Sequence, residues 1–281
     1  MSIKITKMQG CGNDFVVLDY EEFKKMNCEM SEAAKRLCNR NFGIGADGLI
    51  IPNISTEETD IGWYFYNSDG STAQMCGNGM RCFARYVYDK NLVNKKEFTV
   101  KTLAGIITPQ ILDNGQVRVN MSKPILETEK IPFLPNHNLN YKISVKNRIF
   151  EGNAVSMGNP HFVIFIKDDE ILLDLAKEYG PEIELGAEFP EKTNVEFIKI
   201  KSPKEIELCV WERGCGITLA CGTGACASVV AGILNGYLEN SVKVKLLGGE
   251  VNVTWNGSPN KPNGDVFLSG PAEYVFEANL C

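Results

Sequence analysis

The stretch "AQMCGNGMRCFARYVYD", residues 73–89, sets a cysteine directly before Gly-Asn-Gly. Met80, Phe83, Ala84, Val87 and Tyr88 then recur at i, i+3, i+4, i+7 and i+8, which predicts a helix with one apolar face. Further along, "TLACGTGACASVVAGILNG", residues 218–236, does nearly the same, with Cys221 standing 145 residues after Cys76. Here Cys226, Val229, Val230, Ile233 and Leu234 form the stripe, and Gly236 suits a helix C-terminus. Each segment thus predicts a thiol at the positive end of an apolar helix.

Other landmarks echo in the same order. "GNDFVVLD" at 12–19 resembles "GNPHFVIFI" at 158–166, and Asn13 precedes Cys76 by 63 residues where Asn159 precedes Cys221 by 62. Nine residues before Cys76 stands Asn67; nine before Cys221 stands Glu212. This spacing points to an internal duplication. Short β-rich segments bounded by Gly, Pro or Asn fill both halves, among them "GWYFY", "QVRVNMS", "AVSM", "HFVIFI", "VEFIKI", "EIELCVW", "VKVKLLGG" and "GDVFLSG". Further helices are expected over "SEAAKRLCNRNF" and "ILLDLAKEYG". The expected fold is therefore α/β (α+β), in two pseudo-symmetric domains, each a strand-rich half around one helix. The Pro-marked segment from Lys123 to Pro135 is the expected linker, and small ligands are expected in the cleft between domains.

Bulk properties exclude several partner classes. The 281 residues suffice for two domains, 44% are hydrophobic and 23% charged, and the net charge is −6. The densest basic stretch, "KNLVNKKE", is diluted by Asn and Glu, so neither nucleic acid nor an anionic membrane is an expected partner. The beginning "MSIKITKMQG" alternates as a strand and lacks the apolar core of a signal peptide, and no run is long enough for a membrane span, so a cytoplasmic location is expected. There the ten cysteines stay reduced. None is spaced as a CxxC knuckle, and the two histidines, His137 and His161, lie in no ligand-spaced motif, so no metal is expected. Cys28, Cys38, Cys82, Cys209, Cys226 and Cys281 read as small apolar residues or bystanders. "GIGADG" at 43–48 has the letters of a dinucleotide fingerprint, but a helix-like segment precedes it and a strand follows, so it reads as a turn.

A thiol at a helix N-terminus sits among unpaired N–H groups that lower its pKa, and the same groups can hold a carboxylate. One such motif alone reads equally well as a buried cap. A matched pair suggests symmetric chemistry, in which one base removes a proton from one face of a carbon and the other returns one to the opposite face. A redox disulfide is the competing use of two such thiols.

At these residues the sequence resembles the diaminopimelate epimerases. The resemblance runs nearly end to end, through "KMQGCGNDFVVLD", "GIGADGLI", "YNSDGSTAQMCGNGMRC", "MGNPHFV", "TNVEF", "WERGCGITLACGTGACA" and "LSGPAEYVFEA". It implies two β-barrel-like sheets, each around a central helix, with residues 1–122 plus 270–281 in one half, 123–269 in the other, and the active site in the cleft between them. It implies a homodimer that uses no cofactor and converts LL- to meso-diaminopimelate for lysine and peptidoglycan synthesis. By motif position it makes Cys76 and Cys221 the two bases. Gly77, Asn78, Gly222 and Thr223 would hold a carboxylate through their N–H groups. Asn13, Asn67, Asn159, Asn194, Glu212 and Arg213 would fix the other polar ends of this small-molecule substrate. Arg213 would pair with the distal carboxylate, Glu212 would bind an ammonium or help deprotonate a thiol, and His161 would support activity. Some relatives carry glutamine where this chain has Gly48, to which no side-chain role falls. A proline or hydroxyproline racemase of the same fold is the alternative. In that group His tends to follow the first Cys-Gly, where this chain has Asn78.

Overall fold

Both helices implied by the cysteine motifs are present in the computed structural model, as Gly77–Asp89 and Gly222–Leu234. Cys76 and Cys221 are their N-cap residues, each in extended backbone with its sulfur accepting from the third residue on. A glycine-rich first turn leaves little but the cap to define where these helices start. The structure describes residues 2–54, 57–167 and 169–280. Cys281 lies outside them. Two units divide the chain, Met1–Asn120 with Ser269–Cys281, and Met121–Leu268.

In the first unit the strands run in the order Glu273–Leu280, Ile3–Gly10, Asn13–Val17, Gly48–Asn53, Ile61–Asn67, Val100–Thr102 and Gly105–Ile107. The hairpin Pro109–Ile111 with Val117–Asn120 belongs to this unit but is not part of that sheet. The Cys76 helix packs on Ile3–Gly10, Asn13–Val17 and that hairpin. Its Met80, Cys82, Phe83, Ala84 and Val87 are fully buried, which is why the apolar stripe is as wide as the sequence showed.

In the second unit the order is Val266–Gly270, Gly249–Trp255, Ser241–Leu246, Glu205–Glu212, Asn194–Ser202, Pro160–Phe165, Arg148–Ser156 and Tyr141–Val145. The Cys221 helix packs on Arg148–Ser156, Pro160–Phe165, Asn194–Ser202 and Gly249–Trp255. A second helix, Leu172–Glu184, covers Asn194–Ser202 and Glu205–Glu212. The mixed α/β character and the sheet around each motif helix agree with the sequence. Among the described residues the sheet of the first unit is an open path from Glu273–Leu280 to Gly105–Ile107.

Several local readings change. The helix expected over residues 31–42 is Met30–Cys38, because Asn39 takes the N–H groups of Asn41 and Phe42 on its own side chain and turns the chain. The helix that opens with "LLDL" continues through Gly180 and Pro181 to Glu184. A short helix at Tyr20–Lys24 has no clear periodic signal. The segment Lys123–Pro135 is more than a linker: Ile131 and Phe133 are buried in the second unit's core, and Ile125 exchanges backbone hydrogen bonds with Ser156. Of the cysteines read as small apolar residues, Cys38, Cys82, Cys209 and Cys226 are buried, and Cys28 is half-buried.

Candidate active site

In the first unit the Cys76 sulfur accepts from the Gly79 N–H at 3.4 Å. The strand that begins at Asn13 brings the Asn13 Oδ1 atom to 3.6 Å from the same sulfur. That oxygen also accepts from Asn78 Nδ2 at 3.2 Å, so Asn13, Cys76 and Asn78 form one cluster. The other end of the Asn13 amide donates to Asp47 Oδ2 at 2.5 Å. Asp47 is held in turn: it accepts from the Asp14 N–H at 3.1 Å and from Arg40 at 2.8 Å.

Beside it, Asp14 pairs with Lys7 at 2.7 Å and Arg40 at 2.8 Å, and Lys7 also donates to the Gly45 carbonyl. Burial pushes the Asp14 carboxyl up, but Arg40 and Lys7 more than offset it and hold its pKa at about 2. "GIGADG" is a bent segment that runs into the strand Gly48–Asn53, whose first residue is the motif's last glycine. Gly45 sits at φ +78°, and a Cβ on Gly48 would stand 2.8 Å from the Tyr66 carbonyl oxygen. Asn67 ends its strand opposite Gly48 and bonds within its own turn, Nδ2 to Ser71 Oγ at 3.0 Å.

The second unit assembles more of the expected residues. Cys221 Sγ accepts from the Gly224 N–H at 3.3 Å and lies 3.5 Å from Thr223 Oγ1. Asn159 Nδ2 reaches the same hydroxyl at 3.4 Å. Behind Asn159 stands His161, with Nε2 3.0 Å from Asn159 Oδ1 and Nδ1 2.6 Å from Glu196 Oε1. The parallel pairing of Pro160–Phe165 with Asn194–Ser202 sets His161 opposite Asn194. Asn194 donates to the Pro160 carbonyl at 2.7 Å and accepts from the Arg213 N–H at 3.0 Å. Arg213 Nη1 donates to the Glu191 carbonyl at 2.9 Å. The neighbouring turn is pinned by Glu184, which accepts from Trp211 Nε1 at 2.7 Å and the Gly214 N–H at 2.9 Å.

The electrostatics of Cys221 depart from the simple helix-terminus expectation. Burial, then the carboxylates of Glu212 and Glu196, push its thiol well above the ordinary value, and the Thr223 and Gly224 contacts offset this only in part. A dipole effect confined to the helix end does not outweigh complete desolvation with two acids nearby. Cys221 therefore rests as a thiol. Glu212, which accepts from Thr218 and lies near Cys221, is itself pushed up by burial. A carboxyl group raised in this way and close to a thiol suits proton exchange with it.

Three residues that position the site receive no role in the sequence reading: Asp47, although it lies in "GIGADGLI", Glu196, although it lies in "TNVEF", and Glu184. Glu196 has a visible signal of another kind, an acid inside the apolar run "NVEFIKI", where both faces of the strand are buried from Asn194 to Ile198. Asp47 and Glu184 act on residues 34 and 30 positions away, and no local pattern announces such partners.

The fold is shared with solved structures of different named functions. A hydroxyproline epimerase from Agrobacterium vitis, with trans-4-hydroxy-L-proline bound, superposes with a TM-score of 0.71 at 11% identity, over 99% of this chain and 92% of the other. A probable proline racemase from Agrobacterium radiobacter K84 gives 0.70 at 16%, over 99% and 93%. At such identities the likeness establishes the fold alone.

Sequence comparison narrows this. The Diaminopimelate epimerase family model matches residues 5–127 and again 153–275, once in each half. Proteins named diaminopimelate epimerase from Halothermothrix orenii and Desulfitobacterium hafniense are 46% and 47% identical, over 100% and 99% of this chain and 98% of each relative. The chain belongs to the diaminopimelate epimerase family.

Proposed function

We propose that this protein is an epimerase that interconverts LL- and meso-diaminopimelate by a two-thiol mechanism, in the service of lysine and peptidoglycan synthesis. The observation that carries the reading is the matched pair of N-capping thiols, Cys76 and Cys221, in a chain whose two halves both match the epimerase family model.

In this reading one sulfur, as thiolate, removes the α-proton while the other, as thiol, delivers its own to the opposite face. Charge then builds on the substrate carboxylate. The N–H groups of Gly77, Asn78, Gly222 and Thr223, at the two helix starts, are the preorganised donors that stabilise it. Glu212, near Cys221, exchanges the thiol's proton. Asn13, Asn67, Asn159 and Asn194 fix the remaining polar ends, and Arg213 takes the distal carboxylate with its planar fork. His161 acts behind Asn159. We place the enzyme in the cytoplasm as a homodimer, working without pyridoxal phosphate.

The test is an assay of LL/meso interconversion with purified protein and no added pyridoxal phosphate. Turnover of diaminopimelate, and none of proline or hydroxyproline, is expected. The reverse preference, or dependence on added cofactor, overturns the reading.

A further inference from the structure

Arg213, to which the proposed function gives the distal carboxylate, stands on a turn that packing alone does not hold. It follows the strand Glu205–Glu212, and the chain returns as Gly216–Ile217 with Glu212 paired to Gly216. Gly214 and Gly216 adopt φ +74° and +78°, and a Cβ on Gly214 would meet nothing within 4 Å. Hydrogen bonds fix the turn instead. Asn194 takes the Arg213 N–H at 3.0 Å, and Glu184 takes its neighbours.

Glu184 is buried and is the last residue of the helix Leu172–Glu184. Its Oε1 accepts from the Gly214 N–H at 2.9 Å and its Oε2 from Trp211 Nε1 at 2.7 Å. Both oxygens are thus engaged by donors that bracket residues 212 and 213. Close helix packing brings the acid there. One turn earlier, an added Cβ on Gly180 would stand 2.6 Å from the Cβ and Cγ atoms of Trp211, so only glycine permits the approach. Glycine weakens a helix interior, and here it admits the indole.

Of the two bracketed residues, Arg213 depends on this bracket more. Glu212 is held by its pairing with Gly216 and by Thr218. Arg213 lies beyond the last pair. Its Nη1 donates to the Glu191 carbonyl at 2.9 Å, whereas Nε and Nη2 have no partner among the described residues. That leaves one edge of the fork for a carboxylate. We infer that Glu184 is a positioning residue that determines specificity: by fixing the 213–214 peptide it sets where the Arg213 fork stands, and so the length of the diacid the site accepts. The inference rests on the reading of Arg213 as the group that takes the distal carboxylate.

Glutamine at 184 has the same shape but a single acceptor oxygen, so Glu184→Gln must lose one of the two bonds. It is expected to raise KM for diaminopimelate about 10-fold while changing kcat less than about 3-fold, the pattern of a weakened hold on a remote group. The preference for diaminopimelate over its six-carbon homologue, 2,5-diaminohexanedioate, should shrink with it. The decisive measurement is a double-mutant cycle with Arg213→Lys. If Glu184 acts through Arg213, the double variant falls within about 3-fold of Arg213→Lys in kcat/KM. Losses that multiply overturn the inference. So does an unchanged KM, an unchanged preference between the two diacids, or a loss confined to kcat, which would place the effect on Glu212. If Glu184→Gln does not fold, Glu184→Asp, one methylene short of both donors, takes its place in the cycle with the same expectation. The parent assay keeps the two claims apart. A parent inactive on diaminopimelate sinks the proposed function and the inference together, whereas an active parent with multiplying losses sinks the inference alone.

Discussion

Asn13 presents its carbonyl oxygen to Cys76, at 3.6 Å from the sulfur. Its counterpart in the other half, Asn159, presents its NH2 group to Thr223, the hydroxyl beside Cys221. The two asparagines occupy equivalent places in a repeated sequence, yet they are turned end for end. The cause lies behind them: Asp47 accepts from the NH2 end of Asn13, whereas His161 meets the oxygen end of Asn159.

Asp47 should therefore matter to catalysis although it lies outside the thiol cluster. Asp47→Ala frees the Asn13 amide to rotate and is expected to lower kcat/KM between about 10- and 100-fold. Arg40→Met removes a more exposed partner of the same carboxylate without touching Asn13 and should cost far less. Equal losses in the two variants would show that Asn13 orientation is not the issue.

The equivalent glycines of the two motifs should respond oppositely to alanine. At Gly79 the nearest atoms to an added Cβ stand at 3.5 Å, an ordinary contact. Gly79→Ala should hold or raise stability, by up to about 1 kcal/mol from helix propensity. At Gly224 the Cβ meets Glu196 Oε1 at 2.8 Å, a buried atom that has nowhere easy to go. Gly224→Ala should destabilise by about 1–3 kcal/mol, as overpacking does. Urea unfolding of both variants checks this; a Gly224→Ala protein as stable as Gly79→Ala contradicts the packing described.

Asp14 gives a pH signature. Its folded pKa, about 2, lies below the ordinary 3.8, so the ionised form is favoured by folding. The stabilisation is fully present above the unfolded value, near pH 4 and upward, and disappears as pH falls through the folded value. A shift of this size corresponds to about 2 kcal/mol. The stability gap between parent and Asp14→Asn should be full at pH 6 and shrink from pH 4 toward pH 2. A gap that ignores pH would count against the Lys7–Asp14–Arg40 network as drawn.

The two-base mechanism predicts where solvent hydrogen goes. In D₂O, starting from one stereoisomer, early product should carry deuterium at the inverted carbon while unreacted substrate stays protiated. Cys76→Ala and Cys221→Ala should each nearly abolish epimerisation, and the double variant should lose little more, because the pair acts as a unit. Product that retains the substrate's hydrogen, or one near-normal alanine variant, would refute two-base exchange.

Two thiols that serve one carbon must also be able to meet. Mild oxidation is expected to link Cys76 to Cys221 and stop turnover, and a thiol reductant should restore it. Full activity in protein whose two sulfurs are shown to be linked would remove them from the mechanism.

The cysteine helices are legible in the sequence because cap and stripe are local: Cys76 and Cys221 start their helices, and each apolar period follows within thirteen residues. Asn159, His161 and Asn194 draw attention through motifs, but their mutual contacts depend on a parallel pairing between strands more than 30 residues apart. Glu196 escapes a sequence reading because an acid between Val195 and Phe197 looks like the solvent face of an alternating strand, and here that face lies under the Cys221 helix. The thiol pKa is hidden for a related reason. A helix start is visible in sequence, whereas the desolvation of Cys221 by its surroundings is not.

The pairing of Ile3–Gly10 with Glu273–Leu280, with Ile3 opposite Leu280, bears on how the chain is made. On the ribosome, the unit from Met121 to Leu268 emerges as one continuous piece. The other unit emerges with its first strand open along one edge, and its partner strand is translated only after the whole intervening unit. An unpaired edge of that kind invites wrong partners, and its closure joins residues at nearly the largest separation this chain allows. Assembly of the Cys221 half should thus come first, and completion of the Cys76 half should be the late, aggregation-exposed event of biosynthesis.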